Sequence, residues 1–136
     1  MAFELTKQIE KHLAGDQIVW LTTITTAGRP APRPVWFFWN GTDVTIYSQP
    51  GAAKVRHLAA NGLVSLNFNC TPSGGDVAVI SGRAEVIKDA PLPSQVPGVI
   101  DKYRAMITAM GNAPEWYDSY SVGIRVTPDR AWGFGD

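Results

Sequence analysis

The chain has 136 residues, 45% of them apolar and 18% charged, and its twelve Lys and Arg balance twelve Asp and Glu. This is globular composition sized for one domain over residues 1–136, and it excludes a disordered chain. A net charge of zero gives no broad footprint for nucleic acid or an anionic membrane, and little repulsion against self-association.

Residues 3–14 read as an amphipathic helix, with Leu5, Ile9 and Leu13 recurring every four positions and Gly15 as its C′ stop. The period then changes. Ile18 to Ile24 is rich in β-branched and aromatic residues, Thr26-Ala27-Gly28-Arg29 is a turn, and a second strand spans about Arg33 to Trp39. Asn40-Gly41 is a hairpin signal leading into a strand from Val44 to Ser48. Gln49-Pro50-Gly51 breaks that strand before a short helix from Ala52 to Ala60. Strands follow at Leu63–Asn69 and Val77–Ile87, with Gly82 marking a bulge or bend. Pro91, Pro93 and Pro97 mark a connection, a helix spans about Gly98 to Met110, and Pro114 to Tyr120 is a second helical piece. A last strand covers Val122 to Val126, and the tail runs to Asp136. The hairpins argue for an antiparallel sheet. The fold expected is therefore mainly β with short helices: six antiparallel strands in a small closed barrel, which removes exposed edges.

Several chemistries are excluded. Cys70 is the lone cysteine, so no intrachain disulfide, CxxC pair or cysteine zinc site exists. His12 and His57 lack metal-ligand spacing, and no metal site is expected. There is no apolar run of membrane-spanning length. The N-terminus mixes Glu4 and Glu10 with lysines and has no apolar h-region. It does not read as a signal peptide, and the expected location is cytoplasmic. No P-loop, GxGxxG or GxSxG pattern occurs in a workable context, and acidic residues are scattered singly.

Two features stand out. In Pro34-Val35-Trp36-Phe37-Phe38-Trp39 a strand sends Trp36 and Phe38 to one face and Val35, Phe37 and Trp39 to the other. Both faces are apolar, so one fills the core and the other is covered by a helix, a partner subunit or a flat aromatic ligand. In the second, Lys54, Arg56 and His57 crowd the first turns of the Ala52–Ala60 helix with no acid. That arrangement opposes the helix dipole unless a phosphate or carboxylate binds there; otherwise it is a solvated basic face. An aromatic slot and an anion seat with no visible acid–base pair suggest a cofactor that carries its own reactivity.

Three pieces, in this order and spacing, carry a family resemblance: the Thr-x-x-Gly-x-Pro turn at Thr25–Pro30, the Pro-Val-Trp-Phe strand, and Tyr47-Ser48 followed by Lys54-Val55-Arg56-His57-Leu58. The sequence resembles the split β-barrel flavin and deazaflavin proteins related to pyridoxamine-phosphate oxidase, of the FMN-binding split-barrel type. It is most similar to the actinobacterial branch that uses the deazaflavin coenzyme F-420. The likeness is close over about residues 8–90 and extends in outline to Trp132 near the C-terminal strand.

The resemblance implies a homodimer with two cofactors between the barrels. It implies that Lys54 and Arg56 hold the cofactor phosphate, where many relatives have Asn in place of His57. It sets the ring against the backbone at Val35, Trp36 and Phe37, near Tyr47 and Ser48. The cofactor-binding residues expected are thus Val35, Trp36, Phe37, Tyr47, Ser48, Lys54, Arg56, His57 and Trp132, with no catalytic side chain. FMN-binding oxidases usually show a richer phosphate set than one Lys-x-Arg, which favours deazaflavin. The activity implied is an F-420-dependent oxidoreductase passing a hydride to a small conjugated or aromatic acceptor. The alternatives are an FMN-dependent oxidase or reductase on the same fold and a non-catalytic deazaflavin carrier.

Overall fold

The computed structural model describes residues 4–135. The expected helix start at residue 3 and the terminal Asp136 lie outside the described residues. Helix α1 is Lys7–Gly15, opened by Thr6, whose hydroxyl accepts the Ile9 amide at 3.2 Å. Gly15 is the last helical residue rather than a C′ stop; Asp16, in extended conformation, ends the helix by donating its amide to His12. Strands β1 (Ile18–Ile24), β2 (Pro30–Trp36), β3 (Phe38–Trp39) and β4 (Val44–Ser48) precede helix α2 (Ala53–Ala60). Strands β5 (Leu63–Asn67) and β6 (Val77–Ile87) lead to helix α3 (Pro97–Ala109) and strand β7 (Val122–Phe134). Single 3₁₀ segments at Pro93–Gln95 and Pro114–Ser119 flank α3.

Seven strands form the sheet, not the six expected, and the reason lies at Phe37. The antiparallel order is β2-β1-β5-β6-β7-β4-β3. β2 pairs with β1, from Ile18 opposite Trp36 to Ile24 opposite Pro30, whereas β3 pairs with β4 through Phe38 opposite Thr45. One run of chain therefore supplies both edges of the sheet. A single straight strand cannot do that, so the run breaks at Phe37, and its covalent continuity curls the sheet into a split barrel. The break frees the Phe37 backbone groups from the ladder, and buried amides and carbonyls need partners. The Phe37 amide donates to the Tyr103 hydroxyl at 2.8 Å, and its carbonyl accepts from the Lys102 ammonium at 2.9 Å. The single Tyr103 hydroxyl proton has two carbonyls in reach, Gln17 at 2.7 Å and Phe37 at 2.8 Å.

The last strand is also longer than expected. β7 stays paired with β6 from Gly123 to Phe134, with a register shift beside Gly82, where Pro128 stands opposite. A proline has no amide for a ladder, so an irregular position suits it. Gly82 is required there because a Cβ would collide with the Thr127 carbonyl.

Alternation fills the barrel. Val19 and Leu21 from β1, Ile46 from β4, Leu66 from β5, Ile80 from β6 and Ile124 from β7 are all at most 1% exposed. Phe37 joins them, with Val35 and Trp39 packed alongside. Trp36 and Phe38 face the other way, against Tyr103, Tyr117, Val99 and Ile107. Both faces of the 34–39 run are thus apolar as expected, and α3 with the Pro114–Ser119 segment supplies the cover. Among the described residues no helix is long and apolar enough to cross a membrane.

Candidate functional site

Outside the barrel, the start of β1, the end of β2, the start of α2 and the Pro114–Ser119 segment line a cleft of about 560 Å³. Its walls include Val35, Trp36, Tyr47, Trp116, Tyr117 and Tyr120. Trp36 is held flat on Tyr103, with centroids 4.4 Å apart and planes 1° from parallel. Tyr117 meets Trp36 edge-on at 5.1 Å and Tyr47 at 5.9 Å. Asp118 fixes the segment carrying these rings by accepting from the Ser94 amide at 2.9 Å and the Ser94 hydroxyl at 2.6 Å. These contacts fix the orientation of the rings along the cleft wall. Burial pushes the Tyr117 hydroxyl up steeply and, with Asp118 adding to it, also raises Tyr47. The Tyr47 hydroxyl donates to the Pro91 carbonyl at 3.0 Å.

A second cleft of about 320 Å³ adjoins the first, sharing Pro34, Ala52 and Lys54 with it. Arg33, Lys54 and His57 line it together with Leu21, Thr23 and Ala31, and among the described residues no carboxylate lines either cleft. Lys54 is half-buried; desolvation pulls its ammonium below the usual lysine range, and nearby Arg33 lowers it further. The His57 Nδ1 lies 2.8 Å from the hydroxyl of buried Thr23. Ala52 precedes helix α2 as its N-cap with no side-chain hydrogen bond, and no acid lies in the first turn; the Val55 amide donates to the Ala52 carbonyl at 3.2 Å, which leaves the Ala53 and Lys54 amides ahead of the first helical bond. Among the described residues Arg33, Lys54 and His57 make no ion pair, and with the uncapped helix start they give this cleft a positive lining that suits an anion.

The expected residues divide between these surfaces. Val35, Trp36 and Tyr47 line the aromatic cleft, His57 the cationic one, and Lys54 both. Phe37 lines neither, its ring being buried in the barrel. Ser48 is 1% exposed and spends its hydroxyl on the Gln49 carbonyl at 3.1 Å. Arg56 is exposed, lines neither cleft and donates to the Gly51 carbonyl at 3.2 Å. Trp132 is 61% exposed beside Phe134, away from both clefts. Sequence reading missed Arg33 and Thr23 and gave the rings of the Pro114–Ser119 segment no role. For Arg33 and Thr23 a signal existed: strand pairing sets Leu21 opposite Arg33 and Thr23 opposite Ala31, on one side of the sheet.

Comparison with known proteins agrees with this architecture. An F420 reductase structure superposes with a TM-score of 0.72 at 21% identity, covering 94% of this chain and 98% of that one. HutZ, the heme storage protein of Vibrio cholerae, gives 0.64 at 21% identity over 98% of both chains. HupZ of Group A Streptococcus gives 0.66 at 15% identity over 98% of this chain and 96% of its own. At such identities these likenesses establish the shared fold. No curated protein matches the chain. The family model described as Pyridoxamine 5′-phosphate oxidase matches residues 5–134, nearly the whole sequence, and the chain accordingly belongs to the pyridoxamine 5′-phosphate oxidase family.

Proposed function

We propose that this protein is a coenzyme F-420-dependent oxidoreductase, a cytoplasmic homodimer that reduces a small conjugated or aromatic acceptor. One observation carries the reading: an aromatic cleft runs into a cation-lined cleft at Lys54, with no carboxylate on either wall among the described residues. A ligand with a flat ring and a phosphate a few atoms away has the matching shape and charge. The donor set fits such a group, since Lys54 is half-buried and makes no ion pair among the described residues. A neighbouring anion would offset both its desolvation and its repulsion from Arg33.

When bound, the reduced deazaflavin supplies the hydride. The protein's part is to hold the ring between Trp36, Val35 and Tyr47, to seat the phosphate near Lys54, and to keep water off the ring face. Positioning of this kind lowers barriers without a dedicated acid or base. The test is a titration of the purified dimer with F-420 and with FMN, followed by turnover with reduced F-420 on a panel of enones and quinones. Tighter binding of F-420 and turnover of a panel member are expected. Tighter FMN binding would move the protein to the flavin enzymes of its family, and F-420 binding without turnover on any acceptor would make it a carrier.

A further inference from the structure

We infer that Tyr103 is a positioning residue for the ring-binding wall: its hydroxyl stands in for the next rung of the β1–β2 ladder, and its ring is the plate on which Trp36 lies. This rests on the reading of the aromatic cleft as the place of a flat ring. The ladder between β1 and β2 ends with Ile18 opposite Trp36. Residues opposite each other send their side chains to the same face, and Ile18 and Trp36 both line the cleft. The same register continued by one step would set Gln17 opposite Phe37. The phenol of Tyr103 joins those two instead. Its oxygen accepts the Phe37 amide at 2.8 Å and lies 2.7 Å from the Gln17 carbonyl. One hydroxyl therefore ties the backbone next to Ile18 and the backbone next to Trp36, at the point where β2 parts from β1.

Lys102 decides where the phenol's proton goes. The Phe37 carbonyl also lies 2.8 Å from the Tyr103 hydroxyl, but it accepts the Lys102 ammonium at 2.9 Å. A charged donor gives the stronger bond. With the ammonium in place the proton serves Gln17, and all three backbone groups are satisfied. The ring supplies the second half of the device. Tyr103 is fully buried, and Trp36 lies on it with planes 1° from parallel. A plate pinned at its hydroxyl cannot slide, so the stack fixes the tilt of Trp36. Tyr103 is not itself on the cleft wall; it acts through Trp36 and Ile18. Without the hydroxyl, the Phe37 amide loses its partner and the wall has to be ordered as the ligand binds. Apparent affinity then falls with the fraction of molecules already ordered.

The test compares Tyr103→Phe, which keeps the plate and removes the tie, and Lys102→Met, which removes the ammonium, with Ile107→Val as a control. Ile107 is fully buried in the same cluster, lines neither cleft and makes none of the Phe37 hydrogen bonds. Its truncation loosens packing without touching the tie, and melting curves fix how much stability each variant loses. Binding of F-420 and of FMN is read from quenching of tryptophan fluorescence, since Trp36 and Trp116 line the ring cleft. The setting of Trp36 is read from near-UV circular dichroism, as the difference between each protein and the same protein carrying Trp36→Phe. Tyr103→Phe is expected to weaken whichever ligand wild type binds by about three- to tenfold, and to diminish the Trp36 difference spectrum. Lys102→Met should move both readouts the same way but less, by about two- to threefold in affinity, because the phenol's proton can turn to the freed carbonyl. Ile107→Val should keep affinity within about twofold and leave the spectrum unchanged. A loss of affinity in Tyr103→Phe no greater than in Ile107→Val, or an unchanged difference spectrum, overturns the positioning role. If Tyr103→Phe does not fold, Lys102→Met decides on the same two readouts. If wild type binds neither ligand, the cofactor reading falls, and the Trp36 difference spectrum alone sustains or overturns the tie.

Discussion

Val35, Phe37 and Trp39 leave one run of chain toward the barrel interior, and Trp36 and Phe38 leave it toward α3; the two clusters they enter are built differently. The barrel cluster is mostly aliphatic and meets the clefts only at its margin, through Leu21 and Val35. The outer cluster is dominated by rings with polar tips: Tyr47, Tyr103, Tyr117, Trp116 and Tyr120. Aromatic rings with a hydroxyl or an indole N–H suit a place where one end is apolar and the other must meet polar groups. The outer cluster has two such duties. Tyr103, fully buried, holds the backbone where the edge run breaks at Phe37. Trp36, Tyr47 and Tyr117 present their open sides to the cleft. The closed cluster therefore sets stability, while the open one sets the shape of the site as well.

Separating those roles is the first and largest test. Leu66 is 0% exposed in the barrel, and Leu66→Ala should cost about 2–5 kcal/mol of unfolding free energy, from lost transfer energy and the cavity left behind. Denaturant melts measure this directly. Ligand affinity of the folded fraction should be unchanged, since no wall of either cleft contains Leu66. An equal loss in affinity would mean that the two clusters are mechanically one.

The comparison also explains what was legible in the sequence. Alternation in Pro34–Trp39 separated the two faces correctly, because a strand's period of two survives the break at Phe37. The break itself was invisible, since it follows from which strands lie at the sheet edges, and edges are a property of the whole topology. β7 runs past the expected end at Val126 to Phe134 because the facing bulge at Gly82 accommodates Pro128, which has no amide for the ladder. In the site, Lys54 was legible as a cation at a helix start. Arg56 was grouped with it by nearness in sequence, although a helix turns residue 56 away from residue 54. Arg33 opens the second strand expected from the sequence, and its place in the cleft follows only from the pairing that sets it opposite Leu21.

A smaller effect concerns how the barrel cluster is capped. Helix α1 is tied down by His12, which is 8% exposed, stacks on Phe68 at 5.2 Å, and bridges Asp16 at 2.6 Å and Asp76 at 2.9 Å. Burial works against its imidazolium, but hydrogen bonds to Asp16 and Asp76 prevail, and its pKa is raised above the ordinary 6.5. Hydrogen bonds from Gln8 and His12 hold the Asp76 carboxyl below its ordinary 3.8. A raised histidine contributes stability that is complete below pH 6.5 and lost as pH climbs through the folded value. A lowered carboxyl contributes stability present above pH 3.8 and lost as pH falls through its folded value. The staple should therefore be strongest from about pH 4 to 6.5. His12→Gln should lose about 1–2 kcal/mol at pH 6, a charged hydrogen bond discounted for partly exposed carboxylates, and much less at pH 9. Melting temperatures of both proteins across that range check it; a pH-independent gap would assign His12 a packing role only.

The smallest effect probes the open cluster where chemistry and structure are most easily confused. Tyr47 is a titratable group on the ring wall, which makes it the natural suspect for a proton donor. Its hydroxyl, however, is committed to the Pro91 carbonyl at 3.0 Å, and burial raises its pKa further from the range where it would give up a proton. Tyr47→Phe keeps the ring and removes that tie alone. A neutral hydrogen bond of this kind is worth about 0.5–1 kcal/mol net, so a small drop in unfolding free energy is expected. Turnover with saturating reduced F-420 should fall by less than about threefold, because a positioned general acid would be worth about 10²–10⁴. A fall within that larger range, with F-420 affinity intact, would show that the hydroxyl leaves Pro91 during the reaction and that the open cluster supplies a proton as well as a wall.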